Sequence, residues 1–379
     1  MPTVYLDMAA TTPVSPRVAD VVLRFMTEDF GNAGSRTHEW GTVAKRAVRD
    51  ARETVAGAVS AAVDEVVFTS GATEANNIAL LGLTSYGRTS GRRHVLSSAT
   101  EHKAVLEPLE HLAAQGFDVE FMRPDSSGRF EAAEVIAHVR TDTLLVSLMH
   151  VNNETGVVQP VRELAELLRQ TETLLHVDAA QSFAKVRLEE LRAPIDLISF
   201  SGHKIGAPKG VGGLIVRRRG WERVPLEPLM FGGGQERKLR PGTLPVALVM
   251  GLAEAVRERL EFHDVWASDT AAFRTELLDM VKRCDGVVNG NLDHAAPHIL
   301  NVSFPGIDSE ALVVALRDVA AVATGSACTS ASYTPSHVLA AMGLPDDVVS
   351  GALRLSWWGR PTDDLSGLES SVRALVPAA

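Results

Sequence analysis

The sequence predicts an α/β fold with a mostly parallel sheet in a large domain and a smaller α+β domain. Short β-rich runs alternate with helical patterns over the first two-thirds of the chain, which is typical of a parallel sheet covered on both faces. After about residue 258 the strands are shorter and this alternation is lost. We therefore expect a large domain over residues 14–257 and a small domain built from residues 1–13 and 258–379.

Composition excludes several classes of protein. Of the 379 residues, 45% are hydrophobic and 22% are charged, as in ordinary globular chains. The net charge of −10 argues against direct nucleic-acid binding, and we interpret Arg217–Arg219 as a solvated strand end. No apolar run reaches the roughly 18 residues that span a bilayer, and the first residues lack a signal-peptide pattern. We expect a cytoplasmic protein without membrane contact.

The elements follow from periodicity and from the residues that flank each run. Ser15 and Pro16 are typical of a helix start, and a second helix is predicted from about Gly41 to Val59. The strands predicted in the large domain are Glu65–Thr69, His94–Ser98, Thr143–Met149, Leu174–Val177, Leu197–Phe200 and Val211–Val216. In the small domain we expect, in order, a helix over Val265–Val281, strands at Val287–Val288 and Ile299–Ser303, a helix at Ser309–Asp318, the segment Val319–Ala323, a loop, and a final helix pair.

Polar clusters directly follow five of the predicted strands. In an open α/β sheet, ligands bind in the crevice outside the carboxyl ends of the strands. Five clusters at five strand ends therefore predict one pocket. The residues concerned are Thr73, His102, Asn153, Asp178 with Gln181, and His203 with Lys204.

Lys204 and Asp178 point to a particular chemistry. Lys204 lies between glycines in SFSGHKIGAPKG; most lysines are surface residues, but a desolvated lysine amine can form a Schiff base. Asp178 lies 26 residues earlier, one βαβ step away, and it can cap a helix or serve a ligand. Pyridoxal phosphate needs such an acidic partner for its ring nitrogen. The pair is therefore consistent with that cofactor.

Two further motifs fit the same pocket. Ser70–Thr73 forms a small-residue turn before a predicted helix, a pattern typical of anion sites but common elsewhere. His102 is either a structural hydrogen bonder or a group that stacks on a ring and shuttles protons.

The two cysteines differ in their surroundings. Cys328 lies in GSACTSAS, a small, polar segment without helical or strand period, which is typical of a mobile loop. Such a thiol is either a tolerated surface cysteine or a reactive group. Cys284 lies near a predicted helix end, and we interpret it as structural. Two cysteines are too few for a disulfide framework or a Cys-rich zinc site, and we expect no metal.

Taken together, these segments resemble the cysteine desulfurases, in the long-loop, NifS/IscS-like subgroup of the class V aminotransferase-like, fold-type I pyridoxal-phosphate enzymes. The resemblance runs from residue 5 to about residue 360. It is carried by YLDMAATTPVSP, FTSGATEANN, TEHKAV, MHVNNETGVVQP, HVDAAQS, SFSGHKIGAPKG, FGGGQERKLRPGTLPV and TGSACTSAS. It implies a mostly parallel, seven-stranded sheet, a homodimer, and transfer of sulfur from L-cysteine through a persulfide on Cys328 to an acceptor protein, leaving alanine.

The resemblance also implies a role for each pocket residue. Lys204 would bond to the cofactor, Asp178 and Gln181 would contact its ring nitrogen and hydroxyl, and His102 would stack on the ring and move protons. Asn153 and Arg354 would bind the substrate carboxylate. The phosphate would be held by Thr73, Ser201 and His203, and by Thr243 from the partner subunit. Ala72 and Asn153 would also contact the cofactor.

The chain departs from the family pattern at two places. Arg354–Arg360 contains one extra residue and two tryptophans, Trp357 and Trp358, which we expect to form aromatic surface near the pocket mouth or at a partner site. The chain ends at Ala379, without the longer tail that iron–sulfur-type desulfurases use for docking. Sulfur delivery to iron–sulfur clusters, to tRNA thiolation or to DNA phosphorothioation all stay open, with the last two favoured.

Other functions are less consistent with these motifs. An aminotransferase needs no thiol, and a selenocysteine lyase would carry its cysteine in a tighter loop. A non-catalytic protein on the same fold would be favoured by loss of Lys204 or Cys328, and both are present.

Overall fold

The structure, a computed structural model, describes residues 4–186, 188–324, 335–362 and 364–375. Cys328 and the proposed mobile loop around it lie outside the described residues, so the predictions made for them are not tested.

The described residues form helices and strands in alternation. The helices are α1 Pro16–Thr27, α2 Glu39–Ala58, α3 Ala72–Leu81, α4 Thr84–Ser90, α5 Lys103–Ala114, α6 Ala132–Ala137, α7 Val161–Leu168, α8 Leu188–Leu191, α9 Val246–Glu261, α10 His263–Arg283, α11 Ser309–Leu316, α12 His337–Ala341, α13 Asp346–Ser350 and α14 Ser366–Arg373. The strands are β1 Val4–Tyr5, β2 Val66–Thr69, β3 His94–Ser98, β4 Asp118–Met122, β5 Thr143–Met149, β6 Leu174–Asp178, β7 Leu197–Ser201, β8 Gly212–Val216, β9 Arg218–Arg219, β10 Glu222–Arg223, β11 Val287–Val288, β12 Ile299–Ser303, β13 Ala320–Ala321, β14 Ala323–Thr324 and β15 Ala352–Ser356. Short 3-10 turns lie at Val63–Glu65, Gly202–Lys204 and Gln235–Lys238.

The large sheet has seven strands in the order β2-β8-β7-β6-β5-β3-β4. Strands β4, β3, β5, β6 and β7 pair in parallel, and only β8 runs against its two neighbours, β2 and β7. The predicted fold class and its mostly parallel sheet are therefore confirmed. Strand β4 was not predicted, because its residues are partly exposed and alternate less clearly than those of the central strands.

Both faces of this sheet are covered, which explains the continuous apolar runs of its strands. Val66 and Phe68 of β2 point into one core cluster with α2 and α9, whereas Val67 points into another with α3 and α5. On the first face, Phe183 and Phe200 stack with ring centroids 4.0 Å apart. Burial on both faces removes the polar alternation that would mark a one-sided sheet.

The second sheet is antiparallel, in the order β11-β12-β15-β14. The N-terminal strand β1 pairs in parallel with β13, so the start of the chain lies against this part of the molecule. The predicted final helix pair is wrong in one respect: the strand β15 lies between α13 and α14. Arg354 in the middle of β15 interrupts its apolar run and conceals the strand in the sequence. The exact domain boundaries stay a prediction.

The tryptophan pair is not surface, and the expectation of an exposed aromatic patch is wrong. Trp357 is fully buried and Trp358 is 9% exposed. The Trp357 indole donates to the carbonyl of Thr270 at 3.2 Å and packs edge-on against Phe273. The segment with the extra residue is therefore accommodated within the core, because Trp357 packs against helix α10.

The basic cluster after β8 is not a solvated end either. Arg219 pairs with the buried carboxylate of Asp196 at 2.6 Å. Arg217 donates to the carbonyls of Val59 and Leu191. These side chains hold the end of the sheet to neighbouring loops.

We predict that Trp357→Ala lowers the free energy of unfolding by about 3–5 kcal/mol, because it removes a large, fully buried side chain. Urea denaturation followed by circular dichroism measures the effect. Trp221→Ala is the matched control, since Trp221 is 96% exposed, and its unfolding midpoint should not move. Equal midpoints for the two variants would contradict the packing described here.

Candidate active site

A cavity of about 440 Å³ lies at the carboxyl ends of the central parallel strands. It collects residues from the segments that follow β2, β3, β5, β6 and β7, together with Arg354 of the second sheet. Ten sequence-predicted residues line it: Ala72, Thr73, His102, Asn153, Asp178, Gln181, Ser201, His203, Lys204 and Arg354.

Among the described residues, one predicted residue is not brought to this cavity, and a second predicted residue is not described. Thr243 is exposed and does not line it. The neighbouring Gly242 donates its amide to Gln235 Oε1 at 2.9 Å, which fixes this loop locally. Cys328 lies outside the described residues.

Lys204 ends a 3-10 turn that directly follows β7. The turn starts at Gly202, where a Cβ atom would lie 2.9 Å from the carbonyl oxygen of Val211 and 3.0 Å from the Cβ of Ala207. Only glycine allows the backbone to pass this closely. The glycine therefore sets the path of the turn that presents the lysine to the cavity.

Asp178 is the last residue of β6, and both of its carboxylate oxygens accept hydrogen bonds. Oδ1 accepts from the amide of Ala180 at 2.8 Å, and Oδ2 accepts from Asn76 Nδ2 at 2.7 Å. Asn76 is fully buried on α3, and its Oδ1 has no partner among the described residues. These two bonds fix the orientation of a buried carboxylate at the cavity wall.

The turn before α3 forms an anion-binding wall. No side chain caps this helix, so the amides of its first turn are available to a ligand. A Cβ atom at Gly71 would lie 3.4 Å from Ser201 Oγ, so the two strand ends approach closely here. Thr73, Ser201 and His203 line the same cavity.

His203 is held neutral by its surroundings. Its Nδ1 lies 3.1 Å from Thr11 Oγ1. Burial, reinforced by the cations Lys204, Lys209 and Lys185, lowers the pKa of His203 to about 4. A neutral imidazole can still donate one hydrogen bond to an anion.

His102 begins α5 and is oriented by its own helix. Its Nδ1 accepts from the amide of Ala104 at 3.0 Å. When the ring is neutral, its proton therefore lies on Nε2. Burial and the nearby Lys204 lower the pKa of His102, while the charge of Asp178 opposes the shift.

Arg354 links the second sheet to the cavity. It is 2% exposed, and it donates to the carbonyl of Asn153 at 3.1 Å and to Asp7 Oδ1 at 2.7 Å. Its Nε and the Oδ1 of Asn153 are buried without partners in the described part of the chain. A guanidinium with a spare donor is suited to a carboxylate ligand.

Sequence reasoning missed Asp7, Asn76 and Lys185. Lys185 is fully buried, and its Nζ lies 3.5 Å from Gln181 Oε1, while Gln181 Nε2 donates to the carbonyl of Ala9. Burial lowers the pKa of Lys185 well below its ordinary value, with Arg259, Lys204 and Arg354 adding to the effect. Asn76 had a usable signal, because it lies four residues after Ala72 on the same helix face.

Comparison with known proteins agrees with this geometry. Residues 4–359 match the family model of class-V aminotransferases. The cysteine desulfurase IscS of Vibrio cholerae serotype O1 (strain M66-2) is 46% identical over 364 residues, covering 95% of this chain and 89% of that protein.

Two solved structures are also similar. DndA from Streptomyces lividans is 62% identical with a TM-score of 0.83, covering 94% of this chain and 99% of that one. The structure of SspA in complex with cysteine is 35% identical with a TM-score of 0.82, and the match covers 96% of this chain and 100% of that one.

Other kinds of site are not seen in the described ranges. Within residues 4–186, 188–324, 335–362 and 364–375, no group of three or more His, Cys, Asp or Glu side chains is placed to hold a metal ion. Within the same ranges, none of the helices has both the length and the apolar character needed to cross a bilayer.

We predict that His203 stays neutral in the folded protein until the pH approaches about 4. In the unfolded chain the same group titrates near 6.5. Between these values the unfolded state binds the additional proton, so this histidine contributes stability above pH 6.5 that is lost as the pH falls toward 4. Histidine NMR spectra recorded against pH, with His203→Asn used for assignment, measure the effect. A folded-state midpoint near 6.5 would refute the prediction.

Proposed function

Because the chain belongs to the class-V aminotransferase family, we propose that it is a cysteine desulfurase that uses pyridoxal 5′-phosphate to take sulfur from L-cysteine and leave L-alanine. The observation that carries this proposal is that Lys204 and Asp178 line one cavity with Arg354. The relatives compared above include IscS at 46% identity, and the resemblance stated from the motifs is confirmed.

The residues of the cavity fit the cofactor. Asp178 supplies a fixed carboxylate for the ring nitrogen, and Gln181 lies beside it for the ring hydroxyl. The uncapped start of α3, with Ala72 and Thr73, fits the phosphate, and Ser201 and His203 add donors. When bound, pyridoxal phosphate supplies an electron sink next to the α-carbon of an amino acid.

Lys204 and His102 handle protons. Lys204 lines the cavity and would hold the cofactor through its amine, and the same amine would take the substrate α-proton. His102, with its Nδ1 committed to the helix start, presents Nε2 to the cavity as the site where a proton is given or taken. Its lowered pKa keeps it neutral near pH 7, so it can serve as a base.

Arg354 and Asn153 bind the substrate carboxylate. Arg354 is already anchored by Asp7 and by the backbone of Asn153, so its orientation is set before substrate arrives. The unpartnered Nε of Arg354 gives the donor that a carboxylate needs. Binding of the carboxylate by Arg354 and Asn153 orients L-cysteine in the cavity, with its sulfur pointing away from these two residues.

Cys328 accepts the sulfur. Its thiolate attacks the sulfur atom of the substrate, a new S–S bond forms, and the bond between that sulfur and the substrate β-carbon breaks. The electron pair stays on the carbon side, and protonation there yields L-alanine. The persulfide left on Cys328 then passes its outer sulfur to an acceptor protein.

The enzyme acts as a homodimer in the cytoplasm. Thr243 is exposed and does not line the cavity of its own chain, which supports a role at the partner subunit's phosphate site. The chain is 62% identical to DndA and 46% identical to IscS, and the persulfide sulfur passes to an acceptor protein. The products open to it are iron–sulfur clusters, thiolated tRNA and phosphorothioated DNA.

We expect wild-type protein with L-cysteine and a reductant to form alanine and sulfide in equal amounts. Cys328→Ser removes the nucleophile, so both rates should fall by at least about a hundredfold while the bound cofactor's yellow colour is kept. Amino-acid analysis and sulfide assay measure the two products side by side.

Cys284→Ala is the matched control, because Cys284 is buried in the core of the second sheet. It should keep nearly full activity. A Cys328→Ser protein that still releases sulfide at the wild-type rate would overturn the proposed role of Cys328.

A further inference from the structure

A second cavity, of about 390 Å³, lies on the other side of the lysine turn. Ile205 and Gly206, which directly follow Lys204, form part of its wall, but no residue lines both cavities. Most of the remaining lining is apolar, for example Val14 and Val18. The cavity is therefore separate from the candidate active site.

One cation dominates this cavity. Arg259 of α9 is 7% exposed, and its guanidinium lies over the rings of both Trp266 and Trp358, at 4.9 and 5.2 Å from their centroids. Its Nε donates to the carbonyl of Ile205 at 2.9 Å. The two indoles and the arginine together form part of the cavity wall.

The donors of this wall are not satisfied. Arg259 Nη1 and Trp358 Nε1 are both buried and have no hydrogen-bond partner within the described ranges. No carboxylate among those residues forms an ion pair with Arg259. The nearby acid of the cavity, Glu258, is bonded by the hydroxyl of Ser15 at 2.5 Å.

A buried guanidinium without a direct ion-pair partner is costly: burial lowers the pKa of Arg259 to about 10, although the charge of Glu258 opposes the shift. The indole faces attract the cation, but they do not accept its N–H bonds. Lys185 is also buried, and the charge of Arg259 helps to lower its pKa. An acceptor that carries negative charge would satisfy both the donors and the charge.

We propose that this second cavity binds a small organic carboxylate, with its charged end on Arg259 and its apolar body against the aliphatic wall. The mixed lining favours an organic carboxylate over other ligands. A fully hydrated inorganic anion would make no contact with the apolar surface, and a neutral molecule would leave Arg259 without an anionic partner. The ligand would lie directly behind the turn that carries Lys204.

The test is calorimetric titration of the holoenzyme with hexanoate, hexan-1-ol and acetate. Hexanoate should bind saturably and the other two should not. Hexan-1-ol lacks the carboxylate that would contact Arg259, and acetate lacks the apolar chain that would contact the aliphatic wall. Arg259→Gln should weaken hexanoate by about tenfold or more, as expected for loss of a charge-assisted contact. Val14→Phe, which adds bulk at another residue lining the cavity and leaves Arg259 intact, should do the same if Arg259→Gln fails to fold.

Arg257→Gln is the matched control on the same helix, where Arg257 pairs with Glu254 at 2.8 Å outside the cavity. Arg354→Gln tests for binding at the active site instead. Both should bind hexanoate like the wild type. The proposal is overturned if wild type shows no saturable binding, if Arg259→Gln and Val14→Phe bind as tightly as wild type, or if only Arg354→Gln loses binding.

Discussion

Parallel pairing of the central strands is the constraint on which the site depends. Because β3, β5, β6 and β7 run in the same direction, the segments that follow them meet at one edge of the sheet. Residues up to about 100 positions apart in the chain, such as His102 and Lys204, thereby line one cavity. The antiparallel strand β8 closes the arrangement beside β7, and its Gly212 leaves room for the turn at Gly71.

Charge is the second feature that shapes this end of the molecule. Lys185, Arg259 and Arg354 are almost fully buried at this end, together with the carboxylate of Asp178, and Arg354 pairs with Asp7. Burial of Lys185 lowers its pKa, and the surrounding cations reinforce the shift. Buried basic groups at the end of the sheet favour phosphate and carboxylate groups, which lose less solvation free energy there than in an apolar pocket.

The sequence was informative where one short segment carries both a strand and its functional residue. Thr73, His102, Asp178 and Lys204 all follow a β-rich run, so strand ends located them. Asp7 was missed because it pairs with Arg354, which lies far along the chain. Lys185 was missed because no local pattern distinguishes a buried lysine from a solvated one. Trp357 and Trp358 were assigned to the surface because residue type alone does not report burial, which here depends on the facing helix α10.

Lys204 is the residue that we propose bonds to the cofactor, in the cavity that Asp178 also lines. Reduction of the holoenzyme with borohydride, followed by digestion and mass spectrometry, would fix the cofactor to whichever lysine holds it. Lys185 and Lys209 lie near the same site, and we expect the label on the peptide that contains Lys204. A label on Lys185 or Lys209, or no labelled lysine in the yellow protein, would contradict it.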